Sequence, residues 1–437
     1  MKKFLLFAVD LSALYASLAL TLFLRYEGDF RNQYDRHIYP FLLIFALWLL
    51  VFYIANLYEA RLLRNNIFFY SALFQAIATA AGISILFFYL IPFYGITPKT
   101  NLAIFVLMFT GLEFILRYSL NNLFERGLRK PVLIVGTNTQ ALELVKFIKE
   151  NPQLGYELAY VVDLTSEGVS NLSHAIKDKE INTVVLSPEA YKTPEVIEIF
   201  YKSLGKKITF YNLSSLYERL TGKVLLGAID QVWFLENLNE GNKKFFEILK
   251  RTTDIILALI LAVPTLLLLP LIFLAVKLTS PGPLIYGQTR VGRLGKNFKI
   301  IKFRTMRKDA EKETGAVWAS KNDPRITPIG KFLRKTRLDE LPQLWNILRG
   351  EMSFVGPRAE RPEFNKHLEH IPFYEERYLV KPGLSGWAQI SFRYGSSVSD
   401  AEEKLKYDLY YVKNRSLLLD LGIILKTIRI AMQQSGR

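Results

Sequence analysis

The chain of 437 residues contains no cysteine and only four histidines. Without cysteine it forms no disulfide framework, no thiolate metal site and no cysteine nucleophile. The histidines are scattered, and only His367 and His370 lie three positions apart, where they could share a helix face. This is little material for a zinc site, and no serine–histidine pair stands out either. These absences direct the search for chemistry to carboxylates and cations.

Glycine is missing where a dinucleotide would need it. The stretch "PVLIVGTNTQALELVKFIKENPQLGYELAYVVD" predicts a short buried strand, a turn, an amphipathic helix and a second strand, and later segments continue this alternation to about residue 220. A dinucleotide fingerprint has three glycines in the first turn, whereas this turn has Gly136 followed by Asn138 and Ala141. We therefore expect a degenerate Rossmann-like α/β domain at 126–240 that serves as a structural or regulatory spacer rather than a nucleotide site.

Apolar residues, by contrast, are abundant. They make up 50% of the chain, although 22% of the residues are charged. Both figures fit one molecule only if the apolar residues are clustered. Four clusters of about the length that crosses a hydrocarbon core lie near the N-terminus. They are Phe4–Leu24, Ile38–Tyr58, Phe69–Phe93 and Leu102–Leu120. We expect a four-helix transmembrane bundle at 1–125.

The charges between these segments predict their orientation. On one side lie basic residues without nearby acids: Lys2, Lys3, Arg61, Arg64, Arg126, Arg129 and Lys130. On the other side Arg25, Arg31 and Arg36 are mixed with Glu27, Asp29 and Asp35, and Lys99 is the remaining cation. The positive-inside rule then places the N-terminus and everything after Leu120 in the cytoplasm. A cleaved signal peptide is disfavoured because the second span follows too soon.

A fifth apolar stretch, "DIILALILAVPTLLLLPLIFLAVK", is unusual because it contains Pro264 and Pro270 and has basic residues at both ends. An interior proline removes a helix hydrogen bond and predicts a bend. If the stretch crossed the membrane, the basic domain after it would face away from the cytoplasm. We therefore expect a re-entrant membrane hairpin at 254–278 with its break at Pro264 and Pro270, and a kinked fifth span is the alternative.

Positive charge is concentrated after this stretch. The chain has a formal net charge of +16, and between residues 281 and 361 Lys and Arg outnumber Asp and Glu by 18 to 8. Such a patch attracts phosphates of nucleic acid, of a nucleotide ligand or of anionic lipids. The apolar segment directly before it favours the membrane surface. Nucleic acid is disfavoured because the chain has four membrane spans and no recognisable binding motif.

Two adjacent acids, Asp339 and Glu340, lie inside this patch in "RKTRLDELPQLWNILRGEMSFVGPR". Asp339 could simply cap a helix that begins near Glu340. Alternatively, nearby cations such as Arg334 and Arg358 would lower the pKa of Asp339 and keep it ionised and nucleophilic. A carboxylate that attacks a diphosphate needs such cations, usually with Mg²⁺, to neutralise the phosphoryl oxygens. Both interpretations are open at this point.

Four motifs decide between them. "KFRTM", "RLDELPQLWNILRGEMSFVGPR", "VKPGLSGWAQI" and "YDLYYVKN" together resemble the bacterial sugar transferases, which are polyprenyl-phosphate sugar phosphotransferases. The resemblance covers about residues 245–437. The whole layout is similar to the large monotopic form used in exopolysaccharide synthesis. It implies a multi-domain membrane protein in which the bundle and the α/β domain precede a monotopic α+β catalytic domain at 245–437.

The resemblance also implies a reaction. A sugar-1-phosphate would pass from a UDP-sugar to undecaprenyl phosphate with release of UMP, through a covalent intermediate on an aspartate, as the first membrane step of exopolysaccharide synthesis. Asp339 matches the nucleophile, and Glu340 matches the second acid, which assists with Mg²⁺ or positioning. The remaining matches bind phosphate or nucleotide or shape the turn before Arg358: Lys302, Arg334, Pro357, Arg358 and Arg393. The family's hairpin commonly breaks at a Ser-Pro pair, in whose place this chain has Leu266 and Leu267.

The expected partners are a UDP-sugar, undecaprenyl phosphate, the lipid bilayer of the bacterial cytoplasmic membrane and a second copy of the chain, with the catalytic domain on the cytoplasmic face. A homodimer would give the first two domains, which do no chemistry, a use. One alternative function is a membrane-bound nucleotide-sugar dehydratase, but it needs a glycine-rich turn and a Tyr-x-x-x-Lys pair, neither of which occurs between residues 131 and 240. Another is a non-catalytic scaffold, which predicts no dependence on Asp339.

Overall fold

The computed structural model divides the chain into two compact units, residues 1–213 and 214–437. It describes residues 2–90, 99–127, 129–178, 181–205, 207–238, 243–307, 310, 323–365, 368–392 and 397–432.

The first unit begins with four long helices: α1 (Lys2–Tyr26), α2 (Phe30–Ile54), α3 (Ile67–Leu90) and α4 (Lys99–Arg126). Each predicted N-terminal span corresponds to one of them. With 24 to 28 residues and a rise of about 1.5 Å per residue, each is long enough to cross a hydrocarbon core of about 30 Å. The corresponding segments, Lys2–Ile54, Ile67–Leu90 and Thr100–Arg126, are also apolar enough to cross it.

The interior of the bundle contains aromatic rings and one ion network. Trp48 packs edge-on against Phe105 and Phe109 and donates to the Ser84 hydroxyl at 2.9 Å. The guanidinium of Arg117 is fully buried and donates to Asp10 Oδ2 and Glu113 Oε1 at 2.6 Å each, and to the carbonyl of Leu57 at 3.1 Å. This network joins α1, α4 and the connection after α2.

After the bundle come four strands and three helices: β1 (Lys130–Val135), α5 (Thr139–Glu150), β2 (Tyr156–Val162), α6 (Ser166–Asp178), β3 (Thr183–Leu186), α7 (Pro194–Tyr201) and β4 (Thr209–Asn212). The strands form one parallel sheet in the order β2-β1-β3-β4. The predicted parallel sheet is therefore present. Its buried runs, such as Val132–Val135, have no exposed residue because helices cover both faces.

Polar contacts join the α/β domain to one end of the bundle. Lys2 Nζ donates to the Gln153 carbonyl at 2.7 Å, and the Gln153 side chain donates to the Arg61 carbonyl at 2.8 Å. Arg64 contacts Asn151 Oδ1 at 3.2 Å. The N-terminus, the connection between α2 and α3, and the α/β domain consequently lie on the same side of the bundle, which is the arrangement that the basic residues predict.

The second unit contains α8 (Leu213–Thr221, of which only the first residue belongs to the first unit), α9 (Gln231–Asn237), α10 (Lys244–Thr279), β5 (Ile285–Val291), β6 (Asn297–Phe303), α11 (Pro328–Thr336), α12 (Gln343–Arg349), β7 (Ser353–Val355), α13 (Pro362–Asn365), β8 (Gly383–Ser385), α14 (Trp387–Ser391), α15 (Val398–Asn414) and α16 (Leu417–Met432). Strands β5 and β6 pair antiparallel, and β7 and β8 pair parallel.

The boundary between the units differs from the expected one. The sequence assigned residues up to 240 to the α/β domain, but Val224, Leu226 and Ile229 pack in one apolar cluster with Leu405 and Leu409 of α15. Lys413 of the same helix forms an ion pair with Glu218 at 2.8 Å. The segment 214–238 therefore belongs to the second unit, because its apolar side chains are buried there.

Helix α10 is a single uninterrupted helix of 36 residues. Pro264 and Pro270, where the sequence predicts a break, both lie inside it. Its first half packs on the unit through Ala258 and its second half through Ile272 and Val276, whereas none of the residues between 259 and 271 is buried. The apolar middle of α10 is thus presented outward, and both ends are anchored on the unit.

Candidate functional site

The two adjacent acids lie on a short 3-10 turn, Leu338–Glu340, between α11 and α12. Helix α11 starts at a Thr327 cap, whose hydroxyl accepts from Gly330 N at 3.0 Å. It ends at Arg337, which has the left-handed conformation with φ of 60°. Non-glycine residues adopt that conformation at a cost, and such outliers concentrate at functional sites. The strained residue directly precedes Leu338 and the pair.

Neither acid caps a helix. The position before α12 is occupied by Pro342, which makes no side-chain capping bond. Both acids are buried, with 7% exposure for Asp339 and 8% for Glu340. A surface cap would be solvated, so burial of two adjacent carboxylates favours the alternative interpretation, in which the pair does chemistry.

Glu340 is held by three cations. Its Oε1 lies 2.9 Å from Lys302 Nζ, 3.8 Å from Arg358 Nη2 and 4.0 Å from Arg337 Nη1. Burial alone would raise the pKa of Glu340, but these cations outweigh it and hold the pKa at about 2. Glu340 is therefore ionised at neutral pH, and it forms a close ion pair with Lys302 and a longer one with Arg358.

Asp339 has the opposite environment. Burial first, and then the charge of Glu340, raises its pKa to about 6, against the opposing influence of Lys302 and Arg334. The sequence-based expectation of a lowered pKa is thus wrong, because desolvation and the neighbouring anion exceed the attraction of the cations. Its Oδ1 is buried without a hydrogen-bond partner among the described residues. This oxygen is free to act on a ligand.

The surrounding elements place the cations by specific contacts. Asn346 of α12 accepts from Ile301 N at 3.2 Å and donates to the Lys299 carbonyl at 2.9 Å, which ties α12 to the strand that carries Lys302. Arg334 of α11 donates to the Thr305 hydroxyl at 2.8 Å. Burial lowers the pKa of Arg334, and the charge of Asp339 partly offsets this effect.

The turn that presents Arg358 depends on two glycines. Strands β7 and β8 come so close that a Cβ on Gly356 would stand 2.2 Å from the Lys381 carbonyl, and one on Gly383 would stand 2.1 Å from Gly356 N. Pro357 lies in this turn, and its carbonyl accepts from Gly383 N at 2.9 Å. The two sequence motifs that contain these glycines therefore build one turn together.

The predicted residues separate into three groups. Five converge on one place, with Pro357 in the adjoining turn: Asp339, Glu340, Lys302, Arg334 and Arg358. Pro264 and Pro270 lie within α10. Arg393 falls outside the described residues.

Two further cations belong to this region. Arg337 Nη1 lies 4.0 Å from Glu340 Oε1, and its place three positions earlier in the chain already indicated this proximity. Arg290 of β5 is half-buried, and this burial and then the charge of Arg358 lower its pKa to about 10. No local pattern distinguishes Arg290 from other strand cations, because its place beside Arg358 depends on the fold.

The donor set suits Mg²⁺, which binds through one or two carboxylates together with substrate phosphates. Asp339 and Glu340 supply two carboxylates, and Asp339 Oδ1 lacks a protein partner among the described residues. Within those residues, no group of three or more His, Asp or Glu could hold a metal by itself. The site therefore fits an ion that needs substrate phosphate oxygens to complete its coordination.

The α/β domain closes the crevice in which a nucleotide would bind. In a sheet of this order the crevice lies at the carboxyl ends of β1 and β3. A Cβ on Gly136 would stand 2.3 Å from the Ser187 hydroxyl, and Asn138 donates across the crevice to Glu189 Oε2 at 2.9 Å. The carboxylate of Glu189 would repel a phosphate there. This arrangement favours a structural role for the domain.

The acid pair lies within a region of the chain that matches a known protein family. The sequence profile of the family described as "Bacterial sugar transferase" matches residues 245–434. An Escherichia coli strain K12 relative, UDP-glucose:undecaprenyl-phosphate glucose-1-phosphate transferase, is 33% identical over 321 residues, which cover 69% of this chain and 67% of the relative. An Erwinia amylovora relative, UDP-galactose-lipid carrier transferase, is 41% identical over 338 residues, with 70% and 69% covered.

A third relative, from Aeromonas hydrophila, is UDP-N-acetylgalactosamine-undecaprenyl-phosphate N-acetylgalactosaminephosphotransferase. It is 40% identical over 233 residues. That match covers 52% of this chain and 53% of the relative, so the chain spans about half the length of this relative. The three relatives are named for three different sugars.

Proposed function

The chain belongs to the bacterial sugar transferase family, and on that premise we propose that it transfers a sugar-1-phosphate from a UDP-sugar to undecaprenyl phosphate and releases UMP. The observation that carries this proposal is the pair Asp339–Glu340. One acid is a buried anion that holds cations, and the other is a buried carboxylate with an unpartnered oxygen. The names of the relatives support the substrate classes.

The first step is attack by an Asp339 carboxylate oxygen on the β-phosphorus of the UDP-sugar. A bond forms between this oxygen and phosphorus, and the bond to the bridging oxygen breaks, so that UMP leaves with that oxygen and its electron pair. In the second step a phosphate oxygen of undecaprenyl phosphate attacks the same phosphorus. This step gives the lipid diphosphate sugar and restores the Asp339 carboxylate.

The main obstacle to this chemistry is electrostatic repulsion between a carboxylate and a diphosphate. The cations of the site reduce this repulsion. Lys302 and Arg358 are held on Glu340 rather than on Asp339, so they face the phosphoryl group without occupying the nucleophile. Mg²⁺, when bound by the two acids, would further neutralise the phosphoryl oxygens.

UMP release tests the proposal. With undecaprenyl phosphate and Mg²⁺, the native chain should release UMP from at least one sugar in a panel of UDP-sugars, and Asp339→Asn should release none. Glu375→Gln, which changes an exposed acid of the same unit, is the matched control and should retain the native rate. Equal release by Asp339→Asn and the native chain would refute the nucleophile.

Omitting the lipid acceptor tests the covalent step. If an aspartyl intermediate forms, the native chain without undecaprenyl phosphate should release at most one UMP per chain in a rapid burst. A complete requirement for acceptor before any UMP appears would instead indicate direct transfer and overturn the covalent intermediate. The sugar in the panel that gives the burst identifies the donor.

We further propose that α10 is re-entrant, with the catalytic unit on the cytoplasmic face of the bacterial inner membrane. A straight helix of 36 residues would be about 54 Å long. A straight helix packed on the unit at both ends would bury a stripe along its whole length, yet 259–271 contains no buried residue. Pro264 has no backbone N–H, so the Ile260 carbonyl lacks its usual helical donor. The hydroxyl of Thr265 donates to the neighbouring Leu261 carbonyl at 2.7 Å.

The absence of native cysteine makes this topology directly measurable. Thr252→Cys and Thr279→Cys place single thiols at exposed positions before and after the apolar part of α10. In sealed inverted vesicles a membrane-impermeant maleimide should label both. Lys146→Cys in the α/β domain should be labelled too, and Gly28→Cys between α1 and α2 should be protected. Protection of Thr279→Cys would show instead that α10 spans the membrane.

A homodimer built through the bundle and the α/β domain is also proposed, because the residues that converge on the acid pair all come from the second unit and leave these two domains with another use. The mass of the full chain in nanodiscs tests this. A monomeric mass would contradict it.

A further inference from the structure

The second unit contains a small cavity apart from the acid pair. Its volume is about 70 Å³, and it is lined by the first turns of α10, the end of β7, the residues before β8, and the last turn of α15 with the residue that follows it. Such a volume accommodates a phosphate group or a few water molecules. Five cations line it: Lys250, Arg251, Arg293, Lys381 and Arg415. Only two acids do so, Glu247 and Asp254.

Both acids are directed to protein partners. Glu247 Oε1 lies 2.7 Å from Arg415 Nη1. Asp254 Oδ1 accepts from the Ser353 hydroxyl and from Phe354 N at 3.0 Å each. Asp254 is thus hydrogen-bonded by groups other than the cavity cations, and Glu247 is paired with only one of the five cations, so the cavity keeps an excess of positive charge.

Lys381 lines the cavity without forming an ion pair with a described residue, although Asp254 and Glu247 attract it at longer range. Its ammonium makes no hydrogen bond or ion pair with any described residue, although the side chain is partly buried. It lies next to Arg251, since a Cβ on Gly350 would stand 3.5 Å from Lys381 Nζ and 3.6 Å from Arg251 Cζ. Burial, and then the charge of Arg251, lowers the pKa of Lys381. Two adjacent cations in a partly desolvated place are stabilised by an anion.

Arg251 is also fixed in position. It donates to the carbonyls of Ile347 and Leu348 at 2.5 and 2.6 Å. Lys250 is fixed likewise by Asp420 at 2.5 Å. A cation cluster that is held by the protein does not need to reorganise when an anion arrives, which is the property of a built binding site.

The location of the cavity indicates the kind of anion. Lys250 and Arg251 lie within the turn that precedes the apolar part of α10. Exposed apolar side chains lie close in the chain to the cavity residues, with Ile248 64% exposed on α10 and Leu418, three positions after Arg415, 82% exposed on α16. A phosphate that carries acyl chains would satisfy both the cations and these apolar surfaces. We propose that this cavity binds the phosphate group of an anionic membrane phospholipid, as a site separate from Asp339.

Native mass spectrometry of the full chain in detergent micelles tests this with defined lipids. The native chain should retain phosphatidylglycerol in preference to phosphatidylcholine, which has no net charge. Lys381→Gln should weaken phosphatidylglycerol binding about five-fold, the effect of one lysine near an anionic headgroup. Lys296→Gln removes an exposed lysine that does not line the cavity and should bind like the native chain.

Inorganic phosphate separates the two possible sources of the phosphate group. If phosphate alone raises the melting temperature of the native chain but not of Lys381→Gln, while phosphatidylglycerol is not retained, the ligand is free phosphate and the lipid assignment is wrong. Equal phosphatidylglycerol binding by native chain and Lys381→Gln, or an equal loss in Lys296→Gln, would overturn the site altogether. Asp339→Asn should bind the lipid like the native chain, whatever becomes of the transfer reaction.

Discussion

At the scale of residues, the site consists of two identical functional groups in unequal environments. Cations surround Glu340 and lower its pKa, whereas burial and the charge of Glu340 raise the pKa of Asp339. The two acids therefore have different roles. Glu340 pairs with Lys302 and Arg358, and the Oδ1 atom of Asp339 is left without a hydrogen-bond partner among the described residues. Because the charge of Glu340 raises the pKa of Asp339, the ionisation of Asp339 depends on its neighbour as well as on the cations.

The pH dependence of UMP release follows from this division. Asp339 must be ionised to attack, so kcat/KM should be constant above its raised pKa of about 6 and fall as the pH is lowered through that value. Lys302→Met removes a cation that lowers the pKa of Asp339. Its acidic limb should therefore move to higher pH, as measured by kcat/KM between pH 5 and 9.

Lys299→Met, an exposed position on the same strand, provides the control for the lost charge. It should keep the native profile. An acidic limb that lies in the same place for native chain and Lys302→Met would show that a group other than Asp339 limits the rate.

At the scale of elements, polar groups within apolar segments decide how helices are held. In the bundle, Arg117 links α1, α4 and the connection after α2. In α10, the prolines lie in an outward-facing apolar stretch, and Thr265 supplies a local hydroxyl. Both features meet the same requirement, because polar groups within lipid need a protein partner.

Removing Arg117 should destabilise the bundle strongly. Arg117→Met leaves Asp10 and Glu113 buried together without a cation, and breaking a buried ion pair in this way costs about 3–5 kcal/mol. The melting temperature of the full chain in detergent should fall clearly. The triple replacement Asp10→Asn, Glu113→Gln and Arg117→Met removes all three charges and should melt well above Arg117→Met. A triple variant as unstable as the single one would indicate that the network contributes packing rather than charge pairing.

At the scale of the whole molecule, the chain is built from two compact units, with the boundary at residues 213 and 214. The family match begins only at residue 245. The intervening segment is nonetheless part of the second unit, since Val224, Leu226 and Ile229 complete one of its apolar clusters.

Two truncations distinguish these boundaries. A chain that begins at Ser214 keeps this cluster complete and should fold in detergent and release UMP from the donor sugar. A chain that begins at Phe245 exposes the cluster and loses the ion pair of Glu218 with Lys413, so it should melt at lower temperature or aggregate. Equal melting temperatures for the two truncations would show that the segment 214–238 adds no stability.

The sequence by itself determined the features that depend on neighbours in the chain. Runs of about 20 apolar residues predict α1 to α4, alternating strand and helix patterns predict the parallel sheet, and adjacent acids among motifs identify Asp339 and Glu340. Hydrophobic length and periodicity are local properties, and the motifs are contiguous. For the same reason, the sequence indicated the cations that lie close to the acids in the chain, such as Arg334.

Only the tertiary structure decided the features that depend on distant residues. Burial raises the pKa of Asp339 although the nearby cations lower it, and no local sequence pattern shows that this side chain is buried. Packing on α15 assigns 214–238 to the second unit, and the fold brings Lys381, Arg251 and Arg415 around one cavity. Desolvation and long-range charge are properties of an environment assembled from many segments. The size of these two effects therefore depends on the folded arrangement of those segments.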